Sequence, residues 1–194
     1  YSSFSPLPEV DMHIVQQYIP EKGFLFFLGN TDPKKNTERV LKAYSLYLQR
    51  SATKRPLLIA DLKEEYIDRV LQQEGIADIK RHLYYPGYIP NSHLATLYNA
   101  SFAFLYPSLR ESFGIPLLEA MACGTPVVTG NTSAMPEVAG SGALTVDPSK
   151  PEEIADRLLQ LEQNPTLYQE QKAYGLQRAQ QFSWARTAGE LSKV

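Results

Sequence analysis

The chain has 194 residues, of which 43% are hydrophobic and 21% charged, which suits one folded domain with a sizeable core and excludes a disordered or collagen-like chain. A formal net charge of -2 supplies no global basic field for nucleic acid or an anionic membrane, so any phosphate recognition must be local. The single Cys123 excludes an internal disulfide and fits a reducing, cytoplasmic compartment.

The first residues, "YSSFSPLPEV", lack the basic start and apolar middle of a signal peptide, and no apolar run reaches the length of a membrane span. Because the chain does not begin with Met, we expect a piece of a longer protein. From Phe24 onward, short apolar runs alternate with longer amphipathic segments, the pattern of parallel strands joined by helical crossovers. "FLFFLG" is the first predicted strand. "NTERVLKAYSLYLQR" follows as a helix with Val40, Leu41, Tyr44 and Leu48 on one stripe, Asn36 or Thr37 as its cap and Glu38 in its first turn. "PLLIAD" is the second strand, and "KEEYIDRVLQQEG" the second helix, stopped by Gly75. "RHLYYPG" gives a third strand and "NSHLATLYNA" a shorter helix.

"SFAFLYPS", "PVVTG" and "ALTVDP" complete six strands, and each of these three is apolar enough to be buried on both faces. Between the fourth and fifth, "IPLLEAMACG" is a helix with Pro116 near its start and Gly124 just past its end. After the sixth strand the chain is read as helical to its end, the last piece being a terminal helix over 183–194 that includes Trp184. The expected fold is α/β, a doubly wound six-stranded parallel sheet in the order 3-2-1-4-5-6 with additional C-terminal helices, forming a single domain whose core covers about residues 20–182. In that order the first and fourth strands are neighbours whose following helices leave on opposite faces, which opens a ligand crevice at their carboxyl ends. The loops "GNTDPKKN" and "PSLRESFG" both face it.

Lys34 and Lys35 stand just before a helix, where free N–H groups and the macrodipole favour an anion. Viewed alone, two adjacent loop lysines are simply solvated; the crevice gives them a diphosphate to meet. Phe113, Gly114 and Ile115 present N–H groups at the head of the next helix, and Gly114 allows a close backbone approach. Glu111 and Glu119 bracket that helix start. Carboxylates beside a bound diphosphate would repel it unless they accepted from something else, and sugar hydroxyls are the natural donors. The alternative is that both only complement the helix dipole, worth about 0.3–1 kcal/mol each.

"ESFGIPLLEAMACGTPVV" resembles the signature of the family-four retaining nucleotide-sugar glycosyltransferases of GT-B fold, the glycosyl transferases group 1, with its Glu, seven residues, then Glu. "FLFFLGNTDPKKN", "GYIPNSHLATLYNASFAFLYPS" and "NTSAMPEVAGSGALTVDPSKPEEIADRL" resemble the same family in the same order, so the likeness runs from Phe24 to about Leu159. The resemblance implies that Glu119 accepts from the nucleotide ribose, Glu111 from the donor sugar, and that Lys35 contacts the diphosphate. Gly29, Asn30 and Lys34 would belong to the phosphate loop, Ser112, Phe113, Gly114 and Ile115 would lie around sugar and phosphates, and Gly87, Tyr88 and Ile89 would flank the base. Glu111 and Lys35 are the expected catalytic pair. Two departures stand out: Ser112 where many members have Gly, and Asn30 where many have Arg, for which Lys34 is expected to compensate.

The remaining motifs read as structural. His13, His82 and His93 are scattered without ligand spacing, so no metal or other cofactor is expected, and Cys123 reads as a small core residue. Asp61 ends the second strand, yet no G-x-G-x-x-G follows the first, which disfavours a dinucleotide. The resemblance thus implies the donor-binding half of a retaining hexosyltransferase that uses a GDP-mannose or UDP-glucose type of donor. Its acceptor-binding N-terminal domain is absent from this chain and would be its partner, so the isolated half is expected to be inactive. A nucleotide-sugar epimerase of GT-B fold and a non-catalytic nucleotide-sugar-binding module are the alternatives. Nucleic acid is not an expected partner, and peripheral association of the full-length enzyme with the inner face of a membrane is left open.

Overall fold

The computed structural model describes residues 3–182, so the terminal helix expected over 183–194, with Trp184, lies outside the described residues. In chain order these residues form α1 (Met12–Val15), β1 (Leu25–Leu28), α2 (Thr37–Arg50), β2 (Leu57–Ala60), α3 (Glu64–Glu74), β3 (Leu83–Gly87), α4 (Asn91–Ala100) and β4 (Ala103–Tyr106). They continue as α5 (Ile115–Ala122), β5 (Val127–Gly130), α6 (Met135–Ala139), β6 (Leu144–Val146), α7 (Pro151–Gln163) and α8 (Pro165–Gln180).

The six strands pair in parallel in the order β3-β2-β1-β4-β5-β6, the order expected from the sequence. β1, β2, β4 and β5 are buried at nearly every residue, because helices cover both faces of a parallel sheet. β6 corrects the expectation of burial on both faces: it is an edge strand with one neighbour and is partly exposed, as is β3 at the other edge. β3 also starts later than predicted, at Leu83, because Ala77–His82 winds into a 3-10 turn that takes up Arg81 and His82. The short helices α1 and α6 had no sequence-based expectation.

Two apolar layers sandwich the sheet. On one face Val40, Leu41 and Tyr44 of α2 pack with Ile67 and Val70 of α3 and with Ile154 and Leu158 of α7. On the other, Leu94, Leu97 and Tyr98 of α4 pack with Leu117, Leu118 and Met121 of α5 and with Met135 and Val138 of α6. α8 closes the molecule against α5 and α7; its Gly175 passes so close that an added Cβ would stand 3.3 Å from the Gly142 carbonyl oxygen. At the amino ends of the strands, Arg55 stacks 3.7 Å over Phe102, and Glu162 accepts from Tyr47, Ser51 and Arg55. That satisfied network makes the amino edge structural and leaves the carboxyl edge for ligand chemistry. Among the described residues no helix is long and apolar enough to cross a membrane.

Candidate functional site

β1 leads into α2 on one face and β4 into α5 on the other, so the chain reverses its winding between these adjacent strands. The crevice at their carboxyl ends is walled by the loops 29–36 and 107–114.

The first wall is built by turn chemistry. Gly29 leaves β1 so tightly against β2 that a Cβ there would stand 2.7 Å from Leu62 Cγ and 2.8 Å from the Ala60 carbonyl oxygen. Asn30 Oδ1 accepts from the Asp32 N–H at 2.8 Å, and Asp32 Oδ1 from the Lys34 N–H at 3.0 Å, which winds Pro33–Lys35 into one 3-10 turn. Asn36 then takes the left-handed conformation, φ 68°, and its side chain does not cap α2. Its amide instead donates to the carbonyls of Pro107 at 3.0 Å and Pro148 at 2.7 Å, while its oxygen accepts from Arg39 at 3.1 Å. This buried side chain thus ties the ends of β1, β4 and β6 together.

The second wall is docked on the first by the Leu109 N–H, which donates to the Lys34 carbonyl at 2.7 Å. As a result Lys35 Nζ and Glu111 Oε1, 76 positions apart in sequence, form a direct ion pair, with side chains only 23% and 13% exposed. The same ammonium lies 5.6 Å from the centre of the Tyr106 ring. The Tyr106 hydroxyl is buried without a hydrogen bond of normal geometry among the described residues, and burial together with the nearby Glu111 charge raises its pKa. Glu111 is further fixed through its main chain: Ser133 Oγ donates to its carbonyl at 2.7 Å and accepts from its N–H at 3.3 Å.

α5 begins at Gly114, φ 82°. A Cβ there would stand 2.6 Å from Met135 Cε, so the glycine is demanded by its backbone and by α6 behind it. Ser112, Phe113 and Ile115 are exposed around this helix head, whose first N–H groups have no intrahelical acceptor. Glu119 lies one turn further in, half-buried, and makes no hydrogen bond or ion pair with the described residues. Burial pushes its carboxyl up to about 7. The buried Tyr98 hydroxyl, which has no hydrogen-bond partner among the described residues, and the Cys123 thiol, pushed up to about 12 by burial, both feel the Glu119 charge.

The structure therefore brings Lys35, Glu111 and the head of α5 together. It leaves Lys34 aside: that ammonium is half-exposed and 3.8 Å from Asp32. Asn30 uses its side-chain oxygen in the turn. Gly87, φ 88°, ends β3 and accepts from the Asp61 N–H at 2.8 Å; Tyr88 is 75% exposed beyond it. The Ile89 side chain is buried in the same apolar layer as Leu94, Leu97 and Tyr98. Asn36, Tyr106 and Ser133 escaped the sequence reading; the one available signal was an Asn directly after the lysines, a residue type that tolerates the left-handed conformation. His93 Nδ1 meets the Tyr18 hydroxyl at 2.5 Å in a packing role. Among the described residues no three His, Cys, Asp or Glu side chains group to hold a metal ion.

With this geometry in view, the similarities to known proteins are specific. The family model described as "Glycosyl transferases group 1" matches residues 12–178. O-antigen chain mannosyltransferase B of Escherichia coli is 34% identical over 178 residues, covering 91% of this chain and 47% of that protein. The chain thus spans about half the length of that relative, and 20% of the serotype-specific mannosyltransferase WbdA of Escherichia coli, with which it is 32% identical over 167 residues. Among solved structures, the C-terminal domain of a glycosyl transferase group 1 family protein (LpcC) from Francisella tularensis superposes with a TM-score of 0.79 at 21% identity, covering 93% of this chain and 96% of that domain. Anabaena Alr3699/HepE, solved in complex with UDP-glucose, gives a TM-score of 0.81 at 17% identity over all of this chain and 55% of its own. The chain belongs to the glycosyl transferases group 1, and its sheet and flanking helices have the architecture of that family's C-terminal domain.

Proposed function

We propose that this chain is the donor-binding half of a retaining hexosyltransferase and that a nucleotide diphosphate sugar lies in the crevice between β1 and β4. The observation that carries the reading is the meeting of Lys35 and Glu111, from opposite halves of the sheet, beside the free N–H groups of α5. An ammonium, a carboxylate and a helix N-terminus within one crevice match a ligand that presents both phosphate charge and hydroxyl donors.

In this reading Lys35 and the N–H groups of Phe113, Gly114 and Ile115 stabilise the diphosphate as it leaves, with Lys34 swinging from Asp32 to assist. This is electrostatic preorganisation supplied by the chain itself and calls for no metal ion. Glu111 accepts from the sugar hydroxyls and orients the sugar for attack on the face from which the diphosphate departs. Glu119, deprotonated on binding, accepts from the ribose, and Tyr88 with the main chain of Gly87 and Ile89 flanks the base. The acceptor is held by a second domain outside this chain, so the isolated half binds donor without transferring it. The mannosyltransferase relatives favour GDP-mannose, and the UDP-glucose bound by the Anabaena protein makes UDP-glucose the second donor to try.

A ligand that binds only the folded state raises its melting temperature by mass action. A thermal-shift series with UDP, GDP and ADP checks the reading: at least one is expected to stabilise the chain, and GDP most. No shift with any of the three would refute a donor site. Glu119→Ala is expected to weaken the binding nucleotide, and unchanged affinity would remove the ribose role.

A further inference from the structure

The loop from Arg110 to Phe113 makes no main-chain hydrogen bond to other main chain among the described residues, yet it carries Glu111, whose placement decides what the crevice can hold. Both main-chain groups of Glu111 are satisfied by one side chain, Ser133 Oγ, which donates to the carbonyl at 2.7 Å and accepts from the N–H at 3.3 Å. A hydroxyl is the smallest side-chain group able to do both at once. Thr132 adds a bond from its Oγ1 to the Leu109 carbonyl at 3.3 Å, so the segment after β5 grips the loop at two points.

Ser133 achieves this in the left-handed conformation, φ 59°, which costs a non-glycine residue conformational energy. Glycine would sit there without strain but would have no hydroxyl to offer. A strained serine where glycine is the easier choice is accounted for if the hydroxyl is what the position supplies.

We propose that Ser133 is the positioning residue for Glu111: its hydroxyl fixes the loop so that the carboxylate reaches the sugar of a bound nucleotide sugar. This rests on the reading above that Glu111 accepts from the sugar. In this proposal Ser133 acts through Glu111 rather than on the sugar or phosphates. Its loss should therefore lower the preference for a nucleotide sugar over its nucleoside diphosphate while leaving nucleoside diphosphate binding nearly unchanged, a split that a general loss of stability would not produce.

Calorimetric titrations of GDP against GDP-mannose, and UDP against UDP-glucose, into wild type, Ser133→Ala, Ser133→Gly and Glu111→Gln test this. In the pair that binds, the preference of wild type for the nucleotide sugar should fall about tenfold in Glu111→Gln and by about three- to tenfold in both Ser133 variants, the loss expected for one net hydrogen bond. Ser133→Gly removes the backbone strain together with the hydroxyl and so keeps a folded comparator. If Glu111→Gln loses the preference while both Ser133 variants keep it, the positioning role is refuted and the donor-site reading stands. If Ser133→Ala loses it and Ser133→Gly keeps it, backbone conformation rather than the hydroxyl is responsible, and the proposal also fails. If Glu111→Gln keeps the wild-type preference, or no probe binds, the sugar role of Glu111 falls and this inference with it.

Discussion

Glu119 offers the sharpest test of how this site is built, because its buried position sets a pH dependence that can be worked out beforehand. Burial raises the folded-state carboxyl from 4.5 to about 7, so between these values the folded chain holds a proton that the unfolded chain has released. Stability from this group is therefore complete below about pH 4.5 and declines as pH rises toward 7. At 1.36 kcal/mol per pH unit the full span is ~3 kcal/mol, and because the half-buried carboxyl is still reached by solvent the usable part is ~1–2 kcal/mol. Glu119→Gln replaces the carboxyl with a neutral group of the same shape. At pH 8 the variant should melt roughly 2–8 °C above wild type in a chain of this size, and at pH 4, where the carboxyl is mostly neutral in the folded and the unfolded chain alike, the two should nearly coincide. Melting curves by circular dichroism at constant ionic strength from pH 4 to 8 read the difference directly. A gap of equal size at every pH, or one that widens as pH falls, would refute the reasoning. So would a wild-type chain more stable than the variant at pH 8, since Glu119 would then have a favourable partner that it does not show among the described residues.

Three further substitutions probe the frame around the ion pair. Lys35→Met leaves Glu111, 13% exposed, without its cation and should lower stability by ~1–3 kcal/mol in urea denaturation; adding Glu111→Gln should recover part of that loss, and strictly additive effects would show the pair to be uncoupled. Gly114→Ala puts a Cβ 2.6 Å from Met135 Cε at φ 82° and should cost ~2–4 kcal/mol; because Met135 is fully buried and its own truncation to alanine costs packing, relief of the clash should show as a double variant less destabilised than the sum of Gly114→Ala and Met135→Ala, which a double-mutant cycle in urea checks. Asn36→Ala loses three hydrogen bonds and incurs the left-handed strain, whereas Asn36→Gly loses only the bonds, so alanine should be the worse by ~1 kcal/mol in denaturation midpoint, and equal losses would exclude the strain.

The sheet was readable because its central strands are short apolar runs that must be buried in a folded core, and because Gly75 and Gly124 punctuate the helices where chain reversal needs a positive φ. Strand order followed from right-handed crossovers, and with it the proximity of the lysine loop to the glutamate loop. What local pattern did not carry was anything decided by distant partners. Asn36 reads as a helix cap, yet its amide answers carbonyls 71 and 112 positions away. Lys35 and Glu111 were assigned to different parts of a ligand, whereas in the unliganded fold two opposite charges brought into one partly buried crevice satisfy each other. Ile89 stood next to Tyr88 in a loop, but the turn after Gly87 sends the one side chain inward and the other out. Ser133, in an exposed stretch of small polar residues, carries no local mark of the bonds it makes to Glu111.

The Lys35–Glu111 pair also constrains how a ligand of the proposed kind would enter. With the Lys35 ammonium neutralised by its neighbour, the positive charge left for an arriving diphosphate is that of the N–H groups of α5 and of the exposed loop cations Lys34 and Arg110. A diphosphate that takes Lys35 exchanges one charge-assisted hydrogen bond for another, and the gain from that exchange alone is small. The released Glu111 is then a nearly buried carboxylate that needs new donors. Sugar hydroxyls next to the diphosphate supply them, whereas a bare nucleoside diphosphate does not. In the proposed reading the ion pair therefore favours the nucleotide sugar over the nucleotide left after transfer, because only the former satisfies both members of the pair at once. The same exchange would help release the spent nucleotide: once the sugar has gone, Glu111 regains its best available partner by taking Lys35 back.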